Sequence, residues 1–325
     1  MDEDTNDLTD LGRCLSVLSL EPRVGKMIIW SYILGCSRAA TSMGVAMSYK
    51  SPFILPPKSM RQTADQIKVA ISEGSESDQI TILNVLKTYD NFSRRNKGSG
   101  FYQYCRSNFL NFNTVQMIAD LRRSIGNELA SLGFSAPSST NPKWHNRNGF
   151  TNPAFLQATI AAGLYPNVAS RVKGDVNFST ISNRKAKVHI SSVNSCQGQP
   201  LRGKCQVGKK EIEFIAFGEM VRGVQFFTMS QTSHLASAMP LILMCGNLRV
   251  RPANVQGEHK SVLCVDDWIN FLCPKDIASA LVVLRKRLDV AFAKIVADPS
   301  AGPGQLNPEE SDAVATLSAV INDAT

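Results

Sequence analysis

The hydrophobic periodicity of the sequence changes at Gly163, and this change constrains the fold more than any other feature. Before Gly163, apolar residues recur at helical spacing, as Ile29, Ile33 and Cys36 do. After Gly163, short runs rich in β-branched and aromatic residues are separated by turn residues such as Gly198-Gln199-Pro200. The sequence therefore predicts a helical first half followed by a small β-barrel or sandwich.

The predicted elements follow from this periodicity and from the residues that end it. Thr9 is predicted to cap the first helix, Pro22 to end it, and Thr114 to cap a later one. The predicted helices span about Asp10–Ser19, Gly25–Ser48, Arg61–Ser72, Asp78–Arg94, Tyr102–Phe109, Thr114–Leu132, Pro153–Ala162 and Pro274–Ala297. The predicted strands are Val168–Val172, Val176–Ile181, Ala186–Ile190, Ile212–Phe217, Val224–Met229, Leu241–Met244 and Val262–Val265.

The charge is unevenly distributed along the chain. The formal net charge is +8, and the two central blocks, residues 29–165 and 166–296, carry +7 and +9. A basic middle between acidic ends favours a polyanion partner such as nucleic acid, although a basic, solvated surface explains the same counts. The sequence has no run of about 20 apolar residues and no C-x-x-C pair, so we expect neither a membrane span nor a metal site.

No phosphate-binding loop is present in the sequence. Such a loop needs Gly-x-x-x-x-Gly-Lys-Ser/Thr, because its backbone N–H groups hold the phosphates and its hydroxyl holds magnesium. The nearest candidate, Gly25-Lys26-Met27, has Leu20 in place of the first glycine and Met27 in place of the hydroxyl residue. The sequence therefore predicts no ATP site in this chain.

Several ordered segments carry a resemblance to a known family. They are Leu8–Arg13 with Leu20–Met27, Asn108–Leu110 with Thr114–Ile118, Ala162–Ala169, His189–Asn194 and Val265–Ile269. In this order they resemble the C-terminal region of DEAH-box RNA helicases of the RNA helicase A-like subgroup. One departure is Ser77-Asp78-Gln79, where the family often has Ser-Asp-His; the missing histidine puts a polar role there in doubt.

The resemblance implies a multidomain α+β fold: an all-α helical ratchet bundle followed by a small OB-like β-barrel with a C-terminal helix. The implied domains are a winged-helix remnant (1–26), a helical ratchet or helicase-associated domain (27–162), an OB-fold domain with a closing helix (163–297) and a flexible acidic tail (298–325). Within the tail, one weak helix at Glu309–Ile321 is expected.

The resemblance also implies a function. The chain would be an RNA-binding accessory region that guides single-stranded or structured RNA past a helicase motor. The RecA-like motor domains, with their ATP and Mg²⁺, would act in cis or in trans, and an intracellular location is expected. Because the motor domains are missing from the sequence, the resemblance implies a fragment, a truncated gene model or a degenerate paralogue. The alternative function is a protein-interaction scaffold, whose acidic tail would dock a basic partner.

Candidate nucleic-acid contacts in the barrel are short polar residues and lysines. Ser191, Ser192 and Asn194 have hydroxyl, amide and backbone N–H groups that suit phosphates, unless this segment is only a structural turn. Lys185 and Lys187 are two residues apart on a predicted strand, so they share a face that lines a groove or merely faces water. His189 and His234 are predicted to be structural.

Candidate contacts in the ratchet lie on two adjacent predicted helices. They are Arg106, Asn108, Thr114, Gln116, Arg122 and Arg123. Gln116 and Arg123 are seven residues apart and share a helix face, which suits stepwise contact with a strand. Surface ion pairs with Asp120 and Glu128 are the alternative. Phe101, Tyr102 and Tyr104 are stacking candidates, but aromatic residues at this spacing more often belong to a core.

Overall fold

The computed structural model describes residues 7–95, 98–134, 152–172, 175–195, 205–207, 210–224, 226–255 and 258–323. The first half is helical, as predicted. Its helices are α1 (Asp10–Val17), α2 (Pro22–Ile33), α3 (Ser37–Met47), α4 (Arg61–Ser72), α5 (Asp78–Arg94), α6 (Gly98–Ser107), α7 (Phe112–Ser131) and α8 (Pro153–Leu164).

Side-chain caps set several helix starts. The Thr9 hydroxyl accepts a hydrogen bond from the Gly12 N–H at 3.1 Å, which confirms Thr9 as the cap of α1. The prediction that Thr114 caps α7 was wrong. Asn111 is the cap, and its side-chain oxygen accepts from the Thr114 N–H at 3.0 Å.

The long helix predicted over Gly25–Ser48 is two helices, α2 and α3. Gly35 lies between them with φ of +70°, a left-handed conformation that ends α2 and that glycine adopts without steric cost. Pro22 does not end α1, which stops at Val17. It is instead the first residue of α2, where proline loses no hydrogen bond because that N–H has no intrahelical partner.

The second half begins with a closed, OB-like barrel, which confirms the predicted fold class. Its strands are β1 (Val168–Val172), β2 (Phe178–Thr180), β3 (Lys185–Val188), β4 (Cys205–Val207), β5 (Lys210–Arg222) and β6 (Phe227–Leu235). They lie in the order β1-β2-β3-β6-β5-β4, and pairing of β1 with β5 closes the ring, for example at Ala169 opposite Ile215. Phe178, Phe217 and Met229 fill the interior.

A three-stranded antiparallel sheet and three α-helices follow the barrel. The strands are β7 (Leu248–Val255), β8 (Glu258–Val265) and β9 (Ile269–Pro274), in that order. The prediction of a strand at Leu241–Met244 was wrong, because this run lies in helix α9 (Met239–Met244). Every residue from Pro240 to Met244 is buried, and an apolar run without polar alternation does not distinguish a strand from a buried helix.

The helix expected at Glu309–Ile321 is confirmed, but it is packed against the rest of the chain, which corrects the predicted flexible tail for residues 298–323. Helix α10 (Lys275–Ala297) is followed by α11 (Pro308–Asp323), whose Ala313, Val314, Leu317 and Ile321 are buried against α8, α9 and α10. The acidic residues serve this packing. Glu310 pairs with Lys294 at 2.7 Å and Glu309 with Arg287 at 2.9 Å, so both carboxylates bind α10.

Helix α8 joins the two halves. All residues from Ala154 to Leu164 are buried, and the helix packs against α2, α9, α11, β5 and β6. It lies very close to α2 at Gly163, where an added Cβ would lie 2.3 Å from Met27 Cβ and 2.7 Å from Met27 Cα. Because α2 backbone occupies this space, only glycine fits at position 163.

We therefore expect one substitution to have opposite effects at two helical glycines. Gly163→Ala should destabilise the chain by about 1–3 kcal/mol, because the new methyl group overlaps α2. Gly126→Ala, on the exposed face of α7 where no side chain or other segment lies within 4 Å of the new Cβ, should stabilise it by about 0.5–1 kcal/mol. Urea unfolding followed by circular dichroism measures both changes, and a shift of the same sign in both variants would contradict the close packing of α8 on α2.

Candidate nucleic-acid interface

The segment His189–Asn194 lies where the barrel meets the helical half. The Ser192 hydroxyl is buried and lies 2.7 Å from the Thr232 hydroxyl on β6. The Asn194 side chain donates to the Thr232 hydroxyl at 2.8 Å and to the Glu76 carbonyl at 3.0 Å. These contacts bind the segment to β6 and to the residue two positions before α5.

Asp78, at the start of α5, is the centre of this junction. One carboxylate oxygen accepts from the Val193 N–H and the other from the Thr232 N–H, each at 2.9 Å. Lys68 on α4 lies 3.4 Å from the same carboxylate and also donates to the Ser191 carbonyl. The side chains of Asp78 and Lys68 are only 9% and 15% exposed, so solvent weakens this pair less than it weakens a surface pair.

Glutamines extend the junction towards α3. The Gln79 amide donates to the Gln231 carbonyl at 2.6 Å, and the Gln231 amide donates to the Met47 carbonyl at 3.1 Å. Gln231 fits because Gly218 lies opposite, where a Cβ would come within 2.3 Å of the Gln231 side-chain oxygen. The doubt about a polar role at position 79 is corrected, because glutamine makes a cross-domain hydrogen bond there.

These contacts favour the structural interpretation of the barrel motif. The Val193 N–H is bound to Asp78 and the Asn194 N–H to the Ser192 hydroxyl, at 2.9 and 3.1 Å. The groups that would suit a phosphate are thus already used within the protein. Ser191 is exposed and lines a cleft with Lys68. Nucleic-acid contact by Ser191, Ser192 and Asn194 stays a prediction.

Lys185 and Lys187 line an open groove on the barrel. Both lie on β3, on either side of the buried Ala186, so they share the outer face. Arg222, at the end of β5, lines the same groove. Phe226, 42% exposed, stands beside them with the Lys187 ammonium 4.5 Å from its ring centre. Three cations and an exposed aromatic ring are thereby brought to one surface.

This groove has an excess of positive charge. No acidic residue lines it within the part of the chain that the structure describes. Arg184 does not itself line the groove, but its guanidinium carbon lies 5.0 Å from the ring centre of Phe227, which does. Arg184 therefore adds to the local positive charge. A cationic groove with an aromatic face can bind phosphates by charge and a base by stacking.

The ratchet candidates divide into structural and exposed residues. Arg122 makes a bidentate ion pair with Asp90, at 2.6 and 3.0 Å, and so joins α7 to α5. Arg123 pairs with Asp120 on the exposed face of α7. The Asn108 amide donates to the Tyr104 carbonyl at 2.8 Å.

The remaining ratchet candidates lie near the α6–α7 junction. Arg106 is exposed, and Thr114 and Gln116 are half-buried in the first turns of α7. Of the aromatic candidates, Phe101 is a core residue, Tyr104 is half-buried and Tyr102 is 58% exposed. Ser191, the barrel lysines and Arg106 line three separate clefts, so the structure does not bring them to one site.

Sequence reasoning missed the residues that hold the junction, chiefly Asp78, Lys68 and Thr232. The only sequence signal was Ser77-Asp78 before an apolar helix, which also reads as a helix start with Ser77 as cap. Among the described residues, no group of three His, Cys, Asp or Glu side chains is placed to hold a metal ion. No described helix has the length and apolar content that a bilayer crossing requires.

Comparison with protein families agrees with this architecture. Residues 21–96 match the helicase associated domain (HA2), described as ratchet-like, and residues 156–248 match the oligonucleotide/oligosaccharide-binding (OB) fold. The first match covers α2–α5, and the second covers most of α8, the barrel and α9. The Asp78 junction therefore joins the two matched domains.

Similar proteins are helicases. The DExH-box ATP-dependent RNA helicase DExH1 of Arabidopsis thaliana is 29% identical over 299 residues, which are 91% of this chain and 28% of that protein. The ATP-dependent DNA/RNA helicase DHX36 of Homo sapiens is 28% identical, covering 97% of this chain and 30% of that protein. The ATP-dependent RNA helicase DHX29 of Mus musculus is 28% identical, covering 90% and 20%.

The chain therefore spans between a fifth and a third of the length of these relatives. The two domain matches, in this order, and these relatives fit the C-terminal region of a DEAH-box helicase: a ratchet-like helical domain followed by an OB fold.

We expect removal of the Asp78 carboxylate to weaken the junction. Asp78→Ala should destabilise the chain by about 3 kcal/mol, because it leaves two backbone N–H groups without their acceptor and Lys68 without its counter-ion. Asp120→Ala, which removes an exposed carboxylate paired with Arg123, should leave the urea midpoint unchanged. Equal midpoints for the two variants would contradict the central role of Asp78.

We also expect His234 to make stability depend on pH. Its side chain is 1% exposed, and burial lowers its pKa to about 4, with the charge of Arg171 acting in the same direction. Glu76, 3.4 Å from its Nδ1, acts the opposite way. As pH falls below about 6.5, the unfolded chain binds the proton first, so up to about 3 kcal/mol of stability should be lost by about pH 4.

The variant His234→Gln should not show this loss of stability at low pH, whereas His189→Gln, at an exposed histidine, should still show it. Urea unfolding of both variants and the unmodified chain across about pH 4–7.5 measures the difference. Parallel stability curves for all three proteins would show that His234 does not titrate as described.

Proposed function

We propose that this chain is an RNA-binding accessory region of an ATP-dependent DEAH-box RNA helicase and holds single-stranded RNA on its barrel. The observation that carries the proposal is the groove formed by Lys185, Lys187 and Arg222 beside the exposed ring of Phe226. The names of the similar proteins, which are RNA or DNA/RNA helicases, support a polynucleotide as the partner.

The chemistry of the groove suits a single strand better than a base-specific reader. Lysine and arginine bind phosphates, and release of counterions from the strand gives affinity without reading a base. The ring of Phe226 offers a stacking face that accepts any base. An open groove on the outside of a closed barrel leaves room for a strand to pass across it.

The Asp78 junction supports a guiding role. It fixes β6 and the segment after β3 to the start of α5, and β3 and β6 are neighbours in the barrel. A displacement of the ratchet helices would therefore carry the groove with it. In this proposal, RecA-like motor domains in cis or in trans supply the movement and bind ATP and Mg²⁺, and the chain holds the strand between steps.

The alternative of a protein-interaction scaffold is not favoured by the acidic end of the chain. Two acidic residues at this end of the chain, Glu309 and Glu310, already pair with Arg287 and Lys294 of α10. A partner that competes for these carboxylates would have to break two ion pairs and displace a packed helix.

The proposal predicts salt-dependent binding that depends on the groove. Fluorescence anisotropy with a labelled oligouridylate of about 12 nucleotides, titrated between about 50 and 200 mM KCl, measures affinity and salt slope. Lys187→Ala should weaken binding about tenfold and reduce the magnitude of the slope by about 0.7, the value for one phosphate contact on a single strand.

The matched control is Lys286→Ala, which removes one exposed cation from α10 and should bind as the unmodified chain does. Lack of binding by the unmodified chain at low salt would overturn the proposal. Equal losses in the two variants would show that net charge, and not this groove, holds the strand.

A further inference from the structure

We propose that the α6–α7 junction of the helical half carries a second nucleotide-binding site, in which an unpaired base stacks on Tyr102 and Arg106 binds the adjoining phosphate. The inference rests on the proposed binding of single-stranded RNA and adds a base-dependent contact to it. It assigns a role to an exposed aromatic residue that neither the core nor the junction uses.

The site is a groove at the α6–α7 junction with a rigid wall. The segment after Pro52 pairs with the residues that follow α6: the Ile54 N–H donates to the Phe109 carbonyl and the Asn111 N–H to the Pro52 carbonyl, each at 2.8 Å. Phe109 has φ of +54°, an uncommon conformation for a bulky residue, and this pairing holds it there. The wall is thus formed before any ligand arrives.

Tyr102 offers a stacking surface in this groove. Its side chain is 58% exposed, although tyrosine rings are usually more buried than this. The Phe112 ring contacts it at a centre-to-centre distance of 5.6 Å with an interplanar angle of 70°. An edge-to-face contact covers at most one face of the Tyr102 ring, and the 58% exposure of the side chain leaves ring surface open to a base.

Arg106 supplies the charge. It follows Tyr102 by four residues on α6, so the two side chains lie on the same helix face. Arg106 is exposed, and no acidic residue lines the groove among the residues that the structure describes. Among the described residues, no carboxylate pairs with the Arg106 guanidinium, which lies one helical turn from the aromatic face. This combination matches a nucleotide, in which base and phosphate are covalently joined.

The same features argue against an apolar peptide as the occupant. Ile54 is 48% exposed and would contact such a peptide, but Arg106 would then remain beside it without an anion. A nucleotide uses both groups, with the sugar against Ile54, the base on Tyr102 and the phosphate on Arg106. The Asn113 side chain, exposed on the groove edge, is available as a donor or acceptor for either base edge or sugar.

The experiment compares two strands of equal charge that differ only in having bases. The full chain and its variants are titrated with labelled oligouridylate of about 12 nucleotides and with an abasic ribose-phosphate strand of the same length. Tyr102→Ala should weaken binding of oligouridylate about tenfold and leave binding of the abasic strand unchanged. Tyr102→Phe should bind both strands as the unmodified chain does.

Two further variants sharpen the test. Arg106→Ala should weaken the binding of both strands and reduce the magnitude of the salt slope by about 0.7. Met117→Ala removes an exposed apolar side chain from α7 and should change the binding of neither strand. It therefore controls for general loss of apolar surface. Circular dichroism melting of each variant shows that the fold is retained.

The outcomes separate this inference from the proposed function. If the unmodified chain binds oligouridylate and Lys187→Ala weakens it, but Tyr102→Ala does not, the Tyr102 site is overturned and the barrel groove stands. If Tyr102→Ala weakens the binding of both strands equally, the proposed stacking of a base on Tyr102 is overturned. If the unmodified chain binds no strand at low salt, both proposals fail.

Discussion

The close packing of helix α8 on α2 is the constraint on which the rest of the structure depends. Helix α8 is buried on every side, so its apolar residues contribute only if the helical bundle and the barrel both assemble around it. Gly163 brings the backbones of α8 and α2 together, and α9 and α11 cover the remaining faces of α8. The two halves of the chain therefore share one hydrophobic core instead of meeting across a wet interface.

The polar junction at Asp78 fixes how the barrel is oriented relative to the helices around this shared core. Apolar packing tolerates small sliding movements, whereas two N–H groups bound to one carboxylate allow only one arrangement of α5, β6 and the turn at Val193. A buried carboxylate is costly to desolvate, and here two backbone donors and Lys68 offset that cost. The barrel is therefore held in one orientation on the ratchet, which a region that guides a strand requires.

The periodicity of the sequence was sufficient for most helices and for the barrel, and insufficient where local signals compete. Gly35 interrupts an apolar run whose periodicity continues into α3, so the break depends on one backbone conformation. The run Leu241–Met244 has no polar residue to reveal its period, and its helical form depends on burial by its neighbours. The packing of the acidic end of the chain could not be predicted from local sequence. Its ion pairs with α10 join residues that are 16 or more positions apart.

The candidate site was harder to predict because residue type does not reveal which charges are already neutralised. Arg122 and Lys187 are equally basic in the sequence, but Arg122 is bound to Asp90 inside the helical bundle, whereas Lys187 faces an aromatic ring in an open groove. Polar residues differ in the same way. The Asn194 amide is used in the junction, whereas Ser191, three residues earlier, is exposed. A net charge of +8 therefore overstates what a polyanion can use. The usable charge lies where cations have aromatic neighbours and no carboxylate, because such places combine attraction for phosphate with a face for the base.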